Sequence, residues 1–175
     1  MNDFWVFGYA SLMWKPGFDH VERRRARLHG YHRSLCIISL EHRGTPERPG
    51  LVMGLDRGGS CVGVAFRVAG KDREPVLAYL RERELVTNVY LERIGSVTFE
   101  CGGKAPALAY VADRRHEQYA GRLEVDEAVE RVCGAVGGMG PNEDYVINTA
   151  EHIRTLGIRD HWLENVVAGI RKRQG

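Results

Sequence analysis

The sequence predicts an α+β domain, and three observations predict it. Short apolar runs closed by glycine and turn residues fill the chain up to about residue 112. From Val125 onward the apolar residues instead keep helical spacing. No internal repeat, low-complexity segment or linker interrupts the 175 residues, about the length of one ordinary domain. Hairpin strands with segregated helices are the pattern of an α+β fold, so one domain over residues 1–175 is expected.

The elements follow in order. Phe4 to Tyr9 reads as a buried strand entering a tight turn of small residues. Leu35–Ser39, Leu51–Leu55 and Cys61–Val68 read as further strands, with "RGGS" at 57–60 as a hairpin turn between the last two. A helix is expected from about Glu74 to Leu85, with Pro75 in its first turn, where a missing N–H costs nothing. Arg93–Cys101 and Pro106–Ala112 form a second hairpin about "GGK" at 102–104. Val125, Val129, Val132, Cys133 and Val136 keep helical spacing, and Gly137-Gly138 stop that helix. Tyr145–Leu156 is another helix, ended by Gly157. Asp160 caps a final helix carrying Leu163, Val166, Val167 and Ile170, with Arg171–Arg173 near the negative end of its dipole.

Composition excludes several classes. Apolar content of 43%, charge content of 27% and a net charge of +2 are those of an ordinary globular protein without a nucleic-acid footprint. The basic run Arg23-Arg24-Arg25 with Arg27 reads as a solvated or fold-supporting face. The four cysteines make no C-x-x-C pair and read as reduced, buried thiols. His29 and His32 lack the further ligands a metal site needs. The start of the chain has no cationic, apolar leader, and no apolar run approaches the roughly 20 residues of a membrane span. A cytoplasmic, unprocessed protein is expected. "GAVGGMG" at 134–140 lacks dinucleotide-binding spacing and follows a helix, and no Walker or G-x-S-x-G pattern occurs.

One residue breaks the core pattern. In "AYLRERELVT" (78–87), Leu77 set at zero on a helical wheel places Leu80 and Glu84 within about 60° of it, Val76 about 100° away and Glu82 about 140° away. Glu82 therefore faces solvent while Glu84 stands between leucines. An unpaired buried carboxylate costs several kcal/mol. Glu84 either has a cationic partner, such as Arg81 or Arg83, or faces a cavity. At the other end of the chain, "VFGYASLMW" (6–14) joins an apolar strand to a small-residue turn with Tyr9 and Ser11 as polar tips. Consecutive N–H groups in such a turn can form an anion-binding nest.

Together with these stretches, "GYHRSLCIIS" (30–39), "HRGTPERPGLVMGLD" (42–56), "GSCVGVAFRV" (59–68), "RELVTNVY" (83–90) and "GPNEDYVINTAEHIRTLGIRDHWL" (140–163) occur in the order of a known family. The chain resembles the ChaC-type γ-glutamylcyclotransferases, the glutathione-specific branch, over nearly its whole length. The resemblance implies a small mixed β-barrel with packed helices. It implies cleavage of glutathione to 5-oxoproline and cysteinylglycine, without metal or cofactor. Its R-E segment maps the catalytic acid/base onto Glu84, and its G-Y-G-S-L turn maps the glutamyl site onto Gly8, Tyr9, Ala10, Ser11 and Leu12, with Met13 beside them. Ala10 replaces the family's second glycine. If that position needs φ > 0, alanine costs about 1 kcal/mol; if glycine serves close approach, the methyl narrows the pocket. From the residues themselves, Tyr145 is a candidate to hydrogen-bond the substrate carboxylate or glycyl end, or else a helix-start tyrosine packing on the barrel, and Arg43 is a candidate for the glycyl carboxylate, or else part of a structured surface loop with Pro46 and Pro49. The partner implied is a small molecule, glutathione or a γ-glutamyl peptide, with no nucleic acid and no membrane; oligomeric state is left open, a monomer being compatible. Turnover of other γ-glutamyl peptides or amines, and a pocket that binds without turnover, are the alternatives.

Overall fold

A computed structural model describes residues 2–175 of the chain. It contains helices and strands together, as the apolar periodicity predicts: β1 (Phe4–Gly8), α1 (Ser11–Trp14), β2 (Glu22–Ser39), β3 (Gly50–Val68), a 3₁₀ turn (Gly70–Asp72), α2 (Arg73–Glu84), β4 (Tyr90–Phe99), β5 (Lys104–Ala112), α3 (Val125–Val132), β6 (Val136–Gly137), β7 (Gly140–Pro141), α4 (Asn142–Thr155) and α5 (His161–Gln174). Five strands close a barrel in the order β1-β3-β2-β4-β5. The barrel is mixed: β1 runs parallel to β5 through Trp5↔Ala107 and Val6↔Leu108, whereas β1–β3, β2–β4 and β4–β5 are antiparallel. Contacts divide the chain into two compact units, one built from the chain up to Arg33 with Leu55–Asp113, the other from Ser34–Gly54 with Arg114–Gly175. No helix among the described residues is long and apolar enough to cross a membrane.

In the first unit the apolar stripe of α2 makes the core. Val76, Leu77 and Leu80 are buried in one cluster with Val6, Leu12, Val68, Leu108 and Tyr110. Each leucine so buried contributes about 1.5–3 kcal/mol. The basic run lies within β2, where Arg24 pairs with Glu22 and its guanidinium sits 5.1 Å from the Phe99 ring centroid and 5.6 Å from that of Trp5. It supports the fold.

In the second unit α5 packs on α3 so closely that a Cβ on Gly169 would stand 2.7 Å from Val129 Cγ2. Asn142, fully buried at the start of α4, pairs with Leu51 as a strand neighbour would: its Oδ1 accepts from Leu51 N–H and its Nδ2 donates to Leu51 C=O, both at 2.8 Å. Asp160 Oδ1 accepts from Leu163 N–H at 3.0 Å, capping α5 as expected.

Three expectations are corrected. "RGGS" is not a hairpin turn; it lies inside β3, a strand of 19 residues. Gly58 and Gly59 take φ of 104° and 68°, values glycine adopts at a strand irregularity without ending the strand. The helix from Val125 stops at Val132, with Gly134 at φ 84°, and Val136 and Gly137 form a strand of a small hairpin. Only Cys36 and Cys61 are buried; Cys133 is half-buried and Cys101 exposed, all four being free thiols.

Candidate active site

Glu84 is the last residue of α2, and its register follows the helical wheel: Glu82 is exposed, while the Glu84 side chain keeps 17% of its surface. Burial pushes its carboxyl above the ordinary value of 4.5, and the neighbouring Arg83 partly opposes this. Arg83 Nε lies 3.5 Å from Glu84 Oε1. The first reading of the wheel therefore holds in part: the carboxylate has a cationic neighbour, yet it still carries a net penalty for leaving water.

That guanidinium also reaches the N-terminal turn. Arg83 Nη2 donates to Ser11 Oγ at 3.0 Å, and Nη1 to the carbonyls of Lys15 and Pro16 and to the Tyr79 hydroxyl, at 2.8, 3.2 and 3.1 Å. The turn bearing Ser11 and the end of α2 bearing Glu84 are thus joined through one side chain, although Ser11 and Arg83 are 72 residues apart.

The turn is built by close approach. A Cβ on Gly8 would stand 3.0 Å from Leu12 Cβ and 3.3 Å from Met13 N, so a larger residue would displace α1. Arg33 anchors the turn from beneath, donating from Nε to the Tyr9 carbonyl and from Nη2 to the Val62 carbonyl, each at 2.7 Å. Tyr9, Leu12 and Met13 are buried, Ala10 is half-buried and Ser11 is exposed. What Leu12 and Met13 can offer a ligand is therefore backbone, and Met13 N–H already donates to the Ala10 carbonyl at 2.8 Å. Ser11 and Leu12 stand at the start of α1, where a helix leaves its N–H groups without an intrahelical acceptor. Ala10 has φ −140°, so the left-handed penalty considered for alanine does not arise.

On the barrel wall Tyr110 of β5 faces Glu92 of β4. The Tyr110 hydroxyl donates to Glu92 Oε2 at 3.0 Å, and Glu92 accepts both arms of Arg81 at 3.0 and 2.9 Å. Burial, then the bond to Glu92, holds the phenol far above its ordinary range, and the charge of Glu84 acts in the same direction. The Arg81 hydrogen bond holds the Glu92 carboxyl low. Tyr145 belongs to the second unit, where its hydroxyl accepts from Met53 N–H at 3.0 Å. Arg43, in the same unit, donates to the Pro141 carbonyl at 3.2 Å and lies 5.4 Å from the Tyr145 ring centroid.

Sequence reasoning weighed Arg83 only as a neutraliser of Glu84 and missed its tie to the turn. A signal was present, since the wheel puts Arg83 about 20° from Val76, at the edge of the buried stripe. Arg33, Tyr110 and Glu92 carried no comparable signal, because cross-strand partners are set by barrel register.

A family model described as ChaC-like protein matches residues 4–173. The glutathione-specific γ-glutamylcyclotransferase of Escherichia coli (strain K12) is 30% identical over 168 residues, covering 96% of this chain and 73% of the relative. The glutathione-specific γ-glutamylcyclotransferase 1 of Danio rerio is 35% identical over 158 residues, covering 87% and 80%. A crystal structure of a yeast γ-glutamyl cyclotransferase specific to glutathione superposes with a TM-score of 0.85 at 22% identity, covering 99% of this chain and 100% of the other, which establishes the shared fold.

Proposed function

The chain belongs to the ChaC-like protein family, and from that membership we propose that it is a glutathione-specific γ-glutamylcyclotransferase, releasing 5-oxoproline and cysteinylglycine. The observation that carries the reading is Glu84, a largely buried carboxylate with a raised pKa, joined through Arg83 to the small-residue turn at Ser11.

The reaction is an intramolecular aminolysis. The substrate's α-amine nitrogen bonds to its own γ-carbonyl carbon, the bond from that carbon to the cysteinyl nitrogen breaks, and the proton lost by the amine ends on the departing nitrogen. No protein nucleophile is required. In this reading Glu84 takes one proton from the ammonium to free the amine, the attacking nitrogen gives up a second as the lactam closes, and both end on the departing nitrogen, which leaves as an ammonium. Burial strengthens it as a base, and such relay is worth about 10²–10⁴-fold. The turn of Gly8, Tyr9, Ala10, Ser11, Leu12 and Met13 holds the glutamyl α-carboxylate through backbone N–H groups and the Ser11 hydroxyl. It curls the chain so that amine and carbonyl meet, an orientation term the extended substrate lacks. N–H groups at the start of α1 also suit the oxyanion that develops on the γ-carbonyl. We place the reaction in a reducing cytoplasm, consistent with four free cysteines.

The test is release of 5-oxoproline by the purified protein from glutathione and from γ-glutamyl-alanine. Turnover of glutathione is expected, with a loss of about 10²–10⁴-fold in Glu84→Gln and none in Glu82→Gln, whose side chain faces solvent. Undiminished turnover in Glu84→Gln removes the mechanism; turnover of γ-glutamyl-alanine alone moves the substrate to other γ-glutamyl compounds.

A further inference from the structure

We propose that Arg83 is a positioning residue of this reaction: its guanidinium locks the 11–16 turn onto the end of α2 and turns the Ser11 hydroxyl outward as a hydrogen-bond donor for the substrate's α-carboxylate. The proposal rests on the cyclotransferase reading and assigns a role to a residue that never touches the reacting atoms.

The geometry argues it directly. Arg83 spends four hydrogen bonds on Ser11, Lys15, Pro16 and Tyr79, three of these residues lying in the turn after β1. Its side chain retains 20% of its surface; the bonds to Pro16 and Tyr79 are half-buried and those to Ser11 and Lys15 lie at the surface, each made by a charged donor. A serine hydroxyl has one proton to donate and two lone pairs. Arg83 Nη2, having only protons to offer, occupies a lone pair of Ser11 Oγ. The Ser11 proton must then point elsewhere, and Ser11 is exposed while Leu12 and Met13 turn into the core. A hydroxyl fixed as an outward donor suits an anionic ligand group.

The same guanidinium is the charge beside Glu84. The groups that bear on this carboxylate are Arg83 from α2 and, from β5, Tyr110, whose hydroxyl is held by Glu92 of β4 and so indirectly by Arg81. Of these, Arg83 is the cation that opposes burial. Without it the desolvation of Glu84 stands unopposed, and the base is protonated at a higher pH. Lysine would supply the charge without the planar fork that reaches four acceptors at once.

The test uses the full chain with glutathione, following KM, kcat, the pH profile of kcat/KM and thermal unfolding. Wild-type turnover and its loss in Glu84→Gln come first; if either is missing, the cyclotransferase reading itself fails and takes the Arg83 assignment with it. Given both, Arg83→Gln is expected to raise KM at least about tenfold, as for a lost hydrogen bond to a charged group, and to move the acid limb of kcat/KM to higher pH. Arg83→Lys is expected to raise KM while leaving the acid limb near its wild-type position. Ser11→Ala raises KM, and combined with Arg83→Gln costs less than the product of the two, because both remove one contact. A residue that only held the fold would lower the unfolding temperature without moving the acid limb or separating Lys from Gln, and that result overturns the proposal. Should Arg83→Gln fail to fold, Ser11→Ala and Arg83→Lys decide it: unchanged KM in both overturns it equally.

Discussion

Replacing Glu84 by glutamine should move activity and stability in opposite directions. Glu84 retains 17% of its side-chain surface, and its carboxyl is raised above 4.5 by burial, more than Arg83 lowers it. A raised carboxyl is one whose charged form the fold penalises. Relative to the unfolded chain, the group's contribution is fully present below about 4.5 and is lost as pH rises through the higher folded value. At neutral pH the wild type therefore carries a cost that glutamine, neutral and nearly isosteric, does not. Arg83 is not stranded by the change, because its four hydrogen bonds to Ser11, Lys15, Pro16 and Tyr79 remain. A single stabilising substitution commonly yields about 0.5–2 kcal/mol, and each kcal/mol corresponds to about 2–4 °C for a chain of this size. The expected result is a melting temperature higher by a few degrees at neutral pH, a difference that closes as the pH falls below that of an ordinary glutamate, alongside the loss of turnover. Differential scanning calorimetry across this pH range and 5-oxoproline release on the same preparations measure both. A variant that is inactive and also clearly less stable at neutral pH would refute the reasoning, since Glu84 would then be a structural ion-pair partner of Arg83.

Other substitutions probe the framework. Asn142→Ala leaves Leu51 N–H and C=O buried without partners, at about 1–3 kcal/mol each, so denaturant unfolding should show a loss of roughly 2–5 kcal/mol; a loss below about 1 kcal/mol means that water replaces the amide. Gly63→Ala places a Cβ 2.3 Å from the Gly8 carbonyl oxygen and 2.7 Å from Phe7 Cζ, so β1 must shift. Stability should fall by about 1–3 kcal/mol, with KM raised because the turn after β1 moves with it; wild-type KM in this variant would separate the turn's position from binding. Ala10→Gly relieves no left-handed strain, since φ is −140°. It should lower stability by up to about 1 kcal/mol through the freer unfolded chain, and a rise in melting temperature would contradict the backbone geometry.

Much of the local geometry around the candidate site was legible in the residues because it depends on local rules. Helical periodicity alone separated Glu84 from Glu82, and the burial of Val76, Leu77 and Leu80 follows the same 3.6-residue repeat. The cap at Asp160 and the hairpin about residues 102–104 are likewise short-range events, set by side-chain to backbone bonds and by glycine. "RGGS" misled because two consecutive glycines signal a turn and a strand bulge equally well, and only pairing with a neighbouring strand chooses between them. The helix from Val125 misled because apolar spacing persists past Gly134 into residues that the fold uses as strand.

What the tertiary structure alone decided is which distant groups meet. Arg83 meets Ser11 across 72 residues, Asn142 meets Leu51 across 91, and Tyr110 meets Glu92 through barrel register. Periodicity states which face of an element turns inward. It does not state which other face it will find there, because that is set by closure of the barrel and the directions its strands then take. The chain's own order of residues thus determined the carboxylate and the small-residue turn, while the fold supplied the guanidinium that joins them.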